Sequence, residues 1–329
     1  MNIAPAEHIT AADAEGVDFL LAEDGHRIPL RHWPVEHPRA IVLIAHGMAE
    51  HGGLYDDVAR ALNAGGYAVM AHDHRCHGLS VPLKALGEVS EKHHWEALCA
   101  DMRTVNVHAH KTYPELPLVL IGHSMGSFAS LSYVERHSHT VDALVMVGTN
   151  YEAPWYTWAA HLFAGLESWR QGKNGRSGII HALTFGKFAR QYKPGTDYDW
   201  LSRDPAFVQR YLDDPRCGVT CSNGFWQDFL VGFSRTLRMS NLRKIRKDLP
   251  IYSFAGSRDP VGENGINVAK MDDKLEEAGL IDVTLKIYEG ARHDMFHETN
   301  RDEVMTDLLA WLDAMLLRTT QPVCLLRSA

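Results

Sequence analysis

The stretch Pro117-Leu-Val-Leu-Ile-Gly-His-Ser-Met-Gly126 decides the fold of this chain. Its first half, Pro117–Ile121, is a short apolar run that predicts a fully buried β-strand. The residues that follow, Ser127–His137, have the pattern of a helix, so the motif Gly122-His-Ser-Met-Gly126 falls on a strand-to-helix turn. Such a turn lifts a serine hydroxyl above the edge of an α/β sheet, and the glycines let the strand and helix backbones come close together. The sequence therefore predicts a nucleophilic serine, Ser124.

Composition narrows the class of protein. The chain has 329 residues, 45% hydrophobic and 22% charged, which is enough to bury a large core. Its formal net charge of −8, with lysine and arginine scattered along the chain, argues against a nucleic-acid-binding surface. Met1–His8 shows no basic segment followed by an apolar stretch, so we expect no secretory signal. The longest apolar runs are too short to span a bilayer.

Cysteine usage indicates a reducing compartment. The chain has five cysteines, an odd number, and we expect them to be free thiols in the cytoplasm. Cys217-x3-Cys221 has no second ligand pair at zinc-finger spacing. We therefore expect neither a metal nor another cofactor.

Strands and helices are predicted to alternate along most of the chain. Asp24-Gly25 is a hairpin turn signal between the first two predicted strands. The predicted strands are Val17–Ala22, Arg27–Trp33, Ala40–Ala45, Tyr67–His72, Pro117–Ile121, Asp142–Gly148, Pro250–Ala255 and Asp282–Tyr288, and the predicted helices are Tyr55–Ala64, His94–Lys111, Ser127–His137, Gly265–Ala278 and Asp302–Leu317. This order predicts an α/β fold with a mostly parallel central sheet flanked by helices.

The alternation breaks between about Tyr151 and Leu249, where aromatic side chains are frequent. We predict a mostly helical cap, residues 151–249, inserted between two late strands of a core made by 1–150 and 250–317, with 318–329 as a C-terminal tail. One helical face of this cap is apolar, since its residues recur at three- or four-residue steps: Trp155, Trp158, Leu162, Leu166 and Trp169.

Two interpretations of that apolar face stay open. It packs the cap onto the body, or it forms a lid over a site for an apolar substrate. In the second case Trp155, Trp158, Leu162 and Trp169 bind the substrate. Transient contact of the cap with a membrane surface is open as well.

A serine nucleophile needs a base, a group that orients the base, and donors for the developing oxyanion. On a turn of this kind, the acid and then the histidine follow the serine in chain order. Asp259 comes directly after a predicted strand, which places it at the same sheet edge as Ser124. His293 lies in the glycine-led loop after the last predicted strand, and His297 is the alternative base.

Two backbone amides are candidates for the oxyanion hole. One is that of Met125, the residue after the nucleophile, and the other is that of Met48, in the glycine-rich loop that follows the strand at 41–45. No Lys-Ser/Thr follows this loop, so it is not a nucleotide-binding P-loop. Its residues His46, Glu50 and His51 resemble a metal-ligand spacing only superficially.

Five motifs follow one another in order between Ala40 and Leu317. They are His46-Gly-Met-Ala-Glu-His51, Ala71-His-Asp-His-Arg-Cys-His-Gly-Leu-Ser80, Gly122-His-Ser-Met-Gly126, Gly256-Ser-Arg-Asp-Pro260 and Tyr288-Glu-Gly-Ala-Arg-His293. Together they resemble the monoacylglycerol lipase/lysophospholipase branch of the α/β-hydrolases, a serine-aminopeptidase-like family. The resemblance implies the α/β-hydrolase fold, with Ser124, Asp259 and His293 as triad and Met48 and Met125 as oxyanion donors. The chain departs from the family pattern at Cys76, where glycine is usual.

We therefore expect a serine carboxylic-ester hydrolase that forms an acyl-enzyme on Ser124 and takes a lipid-like acyl ester. A serine at this position excludes dehalogenases and epoxide hydrolases, which need a carboxylate there. Three alternatives stay open: a peptidase, an acyltransferase that uses the same acyl-enzyme, and a non-catalytic ligand-binding protein. Proline-releasing peptidases usually carry a Gly-Gly-Pro-Gly oxyanion loop, which His46-Gly47-Met48 does not match.

Overall fold

The computed structural model describes residue 9 and residues 15–89 and 93–320, except the side chains of 319 and 320. Eight strands form one sheet in the order β1-β2-β4-β3-β5-β6-β7-β8. They are β1 Val17–Leu21, β2 Arg27–Trp33, β3 Ala40–Ala45, β4 Tyr67–His72, β5 Leu118–His123, β6 Ala143–Val147, β7 Ile251–Gly256 and β8 Val283–Tyr288. β2 pairs antiparallel with β1 and β4, and all other neighbours are parallel. The predicted mostly parallel sheet is confirmed: β2, β3 and β4 have the predicted ends, and the ends of the other strands differ by at most two residues.

The central strands are buried on both faces, which is why they appear in the sequence as near-continuous apolar runs. Successive side chains of β3 point to opposite faces of the sheet. Ile41 and Leu43 belong to one hydrophobic cluster, whereas Val42 and Ile44 belong to the other. A single sheet therefore organises two apolar layers.

Helices cover both faces of the sheet. They are α1 Asp56–Ala64, α2 His94–Thr112, α3 Met125–His137, α4 Pro154–Gln171, α5 Gly178–Leu183, α6 Phe185–Arg190, α7 Pro205–Asp213, α8 Asn223–Thr236, α9 Met239–Leu242, α10 Ile266–Glu277 and α11 Arg301–Thr320. Leu98 and Met102 of α2 pack in the first cluster, and Leu308 and Leu312 of α11 pack in the second. All five predicted helices are present.

The helices α4 to α9 lie between β6 and β7, in the stretch where the predicted alternation breaks. Helix α8 joins this insertion to the body, because Phe233 packs on Phe128 of α3 with ring centroids 4.5 Å apart. Phe229 packs on Trp95 of α2 with ring centroids 5.7 Å apart. The insertion therefore sits over the C-terminal side of β5, where Ser124 is found.

Three sequence predictions concern the chain ends and the cysteines. Helix α11 continues to Thr320, so residues 318–320 of the predicted tail belong to a helix. Residues 321–329, with Cys324, and the segment Met1–His8 lie outside the described residues. None of the four cysteines that the structure describes forms a disulfide bond. Within the described ranges, every helix is too short or too polar to serve as a membrane span.

Candidate active site

Ser124 occupies a sharp turn between β5 and α3. Its backbone has φ 50° and ψ −118°, a conformation that non-glycine residues rarely adopt and that marks local backbone strain. Its amide donates a hydrogen bond of 2.8 Å to the carbonyl of Val147 on β6. A methyl group on Gly126 would lie 2.0 Å from the carbonyl oxygen of Ala45, and one on Gly122 would lie 2.4 Å from that of Gly126. The glycines of the motif are therefore required by close backbone contacts.

The structure brings His293 and Asp259 together beside this turn. His293 Nδ1 lies 2.9 Å from Asp259 Oδ1, and both side chains are buried. Asp259 follows β7 and His293 follows β8, so both lie at the sheet edge that carries Ser124. The ring of His123, the residue before Ser124, has its centroid 4.9 Å from that of His293. Because Nδ1 donates to the carboxylate, Nε2 carries the lone pair that a base needs.

His297, the alternative base, is engaged elsewhere. Its Nδ1 bonds to Asp294 at 2.9 Å, and its Nε2 bonds to the carbonyl of Leu54 at 3.0 Å. The ring also stacks on Phe207, with centroids 4.2 Å apart. With both ring nitrogens occupied, His297 is not available to Ser124.

The two candidate oxyanion residues lie beside the nucleophile. Met48 and Met125 line the same cavity as Ser124. Met125 is the first residue of α3, and the amides at a helix N-terminus have no partner within the helix. Gly126 lies so close to the carbonyl of Ala45, at the end of β3, that the loop after β3 begins next to this helix start. The loop that carries Met48 therefore reaches Ser124.

The buried side chain of Glu50 stabilises the turn of the loop that carries Met48. Its Oε1 accepts hydrogen bonds from the amide of Gly47 and from the hydroxyl of Tyr55, and it lies 3.1 Å from His123 Nδ1. Burial alone would raise the pKa of Glu50, but the adjacent His123 imidazolium lowers this pKa to about 2. Burial would lower the pKa of His123, but the Glu50 carboxylate raises it to about 9. The two side chains therefore form a buried ion pair at neutral pH.

Sequence reasoning did not assign a role to this pair. Glu50 drew notice only for its spacing from His46 and His51, and His123 is the variable residue of the serine motif. The signal that could have found them is their position, since each lies one to three residues from a proposed catalytic group.

His46 and His51 tie the loop to two other segments. His46 Nε2 accepts a hydrogen bond of 2.8 Å from the amide of His74. His51 Nε2 bonds to Asp214 of the insertion at 2.9 Å. Cys76 has φ 58°, a left-handed conformation that glycine adopts most readily, which accounts for the glycine of the family pattern at this position.

A cavity of about 540 Å³ opens at Ser124. Its walls are mostly apolar and come from α3 and from the insertion. Aromatic side chains dominate them: Phe128, Phe163, Phe185, Phe188, Trp200, Trp226, Phe229 and Phe233. The polar lining residues of the described chain are few, and Asn150 and Glu152 are among them.

The structure places the predicted substrate-binding residues of α4 away from this cavity, which corrects the prediction. The side chains of Trp155, Trp158, Leu162 and Trp169 are 51–83% exposed and do not line the cavity. The helix presents Ala159, Phe163 and Ala164 to the cavity instead. Because α4 is apolar on two sides, the spacing of its large residues identified a face without identifying its direction.

The chain is similar to known proteins along most of its length. A family model described as serine aminopeptidase, S33, matches residues 36–300, which is most of the chain. The chain belongs to that family. A monoacylglycerol lipase of Mycolicibacterium smegmatis is 30% identical over 300 residues, which cover 88% of this chain and 93% of the relative. The human monoglyceride lipase is 28% identical and covers 87% of this chain, with 89% of its own length matched.

Solved structures of related proteins share the fold. A highly thermostable carboxyl esterase from Bacillus coagulans superimposes with a TM-score of 0.83 at 24% identity, covering 91% of this chain and 98% of the esterase. The chain is therefore an α/β-hydrolase of the lipase and esterase group, in the branch that contains the monoacylglycerol lipases.

Proposed function

We propose that this protein is a serine carboxylic-ester hydrolase that cleaves monoacylglycerol-like esters through an acyl-enzyme on Ser124. The observation that carries the proposal is the buried His293–Asp259 pair, 2.9 Å apart, at the sheet edge where Ser124 opens into an apolar cavity. A base with an oriented ring, a serine on a strained turn and two nearby backbone amides are what acyl transfer requires.

The chemistry proceeds in two halves. Ser124 Oγ bonds to the ester carbonyl carbon while its proton passes to His293 Nε2, and the amides of Met48 and Met125 stabilise the oxyanion. The intermediate collapses, the bond to the leaving alcohol breaks, and His293 gives the proton to the alcohol oxygen. A water molecule then attacks the acyl-serine and loses a proton to His293, which returns it to Ser124 as the fatty acid leaves.

The cavity and the relatives support a lipid-like substrate. A volume of about 540 Å³ lies within the range of roughly 300–1,000 Å³ typical of small-molecule sites. Aromatic walls favour an acyl chain over a peptide, whose backbone needs hydrogen-bond partners. A peptidase is the alternative that the experiment below distinguishes from the ester hydrolase.

A fluorophosphonate probe and matched esters test the proposal. The probe is expected to modify Ser124 in the folded protein, and Ser124→Ala is expected to abolish both labelling and hydrolysis of glycerol monodecanoate. Ser240→Ala, a change in α9, is the control and should behave as the unchanged protein. Full hydrolysis by Ser124→Ala, or faster cleavage of aminoacyl anilides than of esters, contradicts the proposal.

We further propose that the exposed face of α4 contacts a membrane surface transiently. Trp155, Trp158 and Trp169 are 72%, 64% and 83% exposed, and tryptophan favours the interface between water and lipid. Tyr156, next to Trp155, lines the cavity, so a contact here places the cavity mouth at the lipid surface.

Vesicle sedimentation tests the contact. The double variant Trp158→Ser/Trp169→Ser is expected to bind neutral phosphatidylcholine vesicles more weakly than the unchanged protein. Ile281→Ser is the matched control, because Ile281 is 79% exposed in the connection between α10 and β8. Equal vesicle binding by all three proteins contradicts this part of the proposal.

A further inference from the structure

The cavity at Ser124 has two chemically different sides. On one side Phe128 and Phe233 pack with ring centroids 4.5 Å apart, and Phe229 stacks on Phe233 at 5.7 Å. On the other side the connection from β6 to α4 contributes Asn150 and Glu152. An acyl chain fits the aromatic side, which leaves the polar side for the alcohol part of an ester.

The polar side begins beside His293, whose ring also lies next to the cavity-lining Trp200, with centroids 5.2 Å apart. The backbone of Gly148 lies so close to His293 that a methyl group there would be 2.9 Å from the ring. Asn150 follows Gly148 by two residues and Glu152 by four, so their backbones lie at most about 7 and 14 Å from Gly148. Since the leaving alcohol receives its proton from His293, it must lie near this connection.

The charges on this side favour a neutral hydroxyl group over a phosphate. Asn150 Nδ2 donates to Glu152 Oε1 at 3.2 Å, and a carboxylate has room for further hydrogen bonds. Among the described residues that line the cavity, Glu152 and Lys187 are the charged ones. Lys187 Nζ lies 3.4 Å from Glu263 Oε1, so its charge is already matched.

Burial and nearby charged groups also affect the pKa of Glu152. Burial raises the pKa of Glu152, with a smaller contribution from Glu263, and Lys187 and Lys270 act in the opposite direction. Of these charged groups, Glu152 and Lys187 line the cavity, whereas Glu263 and Lys270 act on Glu152 from outside it. A dianionic phosphate in the cavity would lie against Glu152, and Lys187, the cation among the described lining residues, already pairs with Glu263, whereas the hydroxyls of a polyol can donate to the Glu152 carboxylate.

We propose that Glu152, held by Asn150, selects esters whose alcohol is a neutral polyol such as glycerol and rejects those whose alcohol carries a phosphate. This inference rests on the proposed ester hydrolysis at Ser124. It assigns Glu152 as a residue that determines specificity for the leaving alcohol.

Three esters with one acyl chain test the assignment: glycerol monodecanoate, ethyl decanoate and decanoyl glycerol phosphate. We expect the unchanged protein to cleave the glycerol ester with the highest kcat/KM. In Glu152→Gln the ratio of kcat/KM for glycerol monodecanoate to that for ethyl decanoate should fall about tenfold, the effect of weakening one hydrogen bond to a charged group. In Glu152→Lys the ratio of kcat/KM for decanoyl glycerol phosphate to that for glycerol monodecanoate should rise by about tenfold or more.

The ratios separate specificity from folding, because both esters report on the same triad in the same sample. Glu36→Gln is the control, since the Glu36 side chain is 92% exposed. Unchanged ratios in both Glu152 variants overturn the assignment and leave the proposed hydrolysis intact. If the unchanged protein cleaves none of the three esters, the proposed function is overturned, and the assignment of Glu152 with it.

Discussion

Glu50 Oε1 lies 3.1 Å from His123 Nδ1, and both side chains are buried beside the proposed catalytic histidine. The same oxygen accepts the amide hydrogen of Gly47, one residue before the proposed oxyanion donor Met48. The ion pair therefore links the loop after β3 to the strand that carries Ser124. Loss of this ion pair should lower both the free energy of unfolding and the rate of ester hydrolysis.

Glu50→Gln is expected to lower the free energy of unfolding by about 3 kcal/mol near pH 6, because it leaves the His123 charge buried without a partner. The raised pKa of His123 means that its stabilisation is complete below 6.5 and is lost as the pH rises through about 9. The lowered pKa of Glu50 means that its stabilisation is complete above 4.5 and is lost as the pH falls to about 2. The pair thus stabilises most between pH 4.5 and 6.5.

Urea unfolding at pH 6 and pH 9.5 measures this effect. The difference in the free energy of unfolding between the unchanged protein and Glu50→Gln should shrink at the higher pH, where His123 is neutral in the folded and in the unfolded chain. Glu36→Gln, an exposed carboxylate, should show no such difference. An identical loss of stability at both pH values would contradict the ion pair.

Four buried histidines are expected to destabilise the fold in acid. Burial lowers the pKa of His46, His72, His74 and His77, to about 4 for His72 and His77. A lowered histidine pKa means stability that is present above 6.5 and lost as the pH falls, since the unfolded chain takes up the proton first. Each histidine contributes a loss of about 1 kcal/mol per pH unit.

The slope of unfolding free energy between pH 6.5 and 5 tests this expectation. His72→Asn removes one titrating ring, so its slope should be shallower than that of the unchanged protein by about one proton. The exposed His37 provides the control variant His37→Asn, whose slope should not change. Equal slopes for all three proteins would show that His72 is not buried as a neutral ring.

Gly126→Ala is expected to destabilise the fold by about 3 kcal/mol or more, because the new methyl group would lie 2.0 Å from the backbone oxygen of Ala45. The strain falls between the start of α3 and the loop of Met48, so ester hydrolysis should fall as well. Gly178→Ala is the matched control, since no atom lies within 4 Å of its added methyl group. Thermal melting and ester hydrolysis measure both effects, and a Gly126→Ala melting point equal to that of the control would contradict the contact.

Acyl-chain preference should depend on the cavity and not on the exposed face of α4. Each methylene buried in the cavity contributes about 0.8 kcal/mol, close to fourfold in kcat/KM, until the cavity is full. Phe229→Ala should flatten the rise from acetyl to decanoyl esters, because Phe229 lines the cavity. Trp158→Ala should preserve the rise in a non-micellar assay. If Trp158→Ala flattened the rise and Phe229→Ala preserved it, the substrate would contact Trp158 and not Phe229.

The two sides of α4 show where sequence reasoning stops. The strands were predictable because the buried positions of β3 to β7 form short, predominantly apolar runs, a pattern typical of parallel strands that helices cover on both faces. Ser124 was predictable because its motif sits at the end of such a run. The direction of the α4 face was not predictable, since Trp158 and Phe163 are both large and apolar, and only packing in the folded chain decides which of them turns inward.

The sequence by itself determined the order of strands and helices, the position of the serine turn, and the loops that carry Asp259 and His293, because each is a local pattern of apolar runs and glycines. Only the tertiary structure decided that His293 meets Asp259 while His297 bonds to Asp294 and Leu54. It also decided that Glu50 pairs with His123 across 73 residues. These contacts join segments that are distant in the chain. Hydrogen-bond geometry and burial select among side chains of the same type, and no local sequence pattern encodes them.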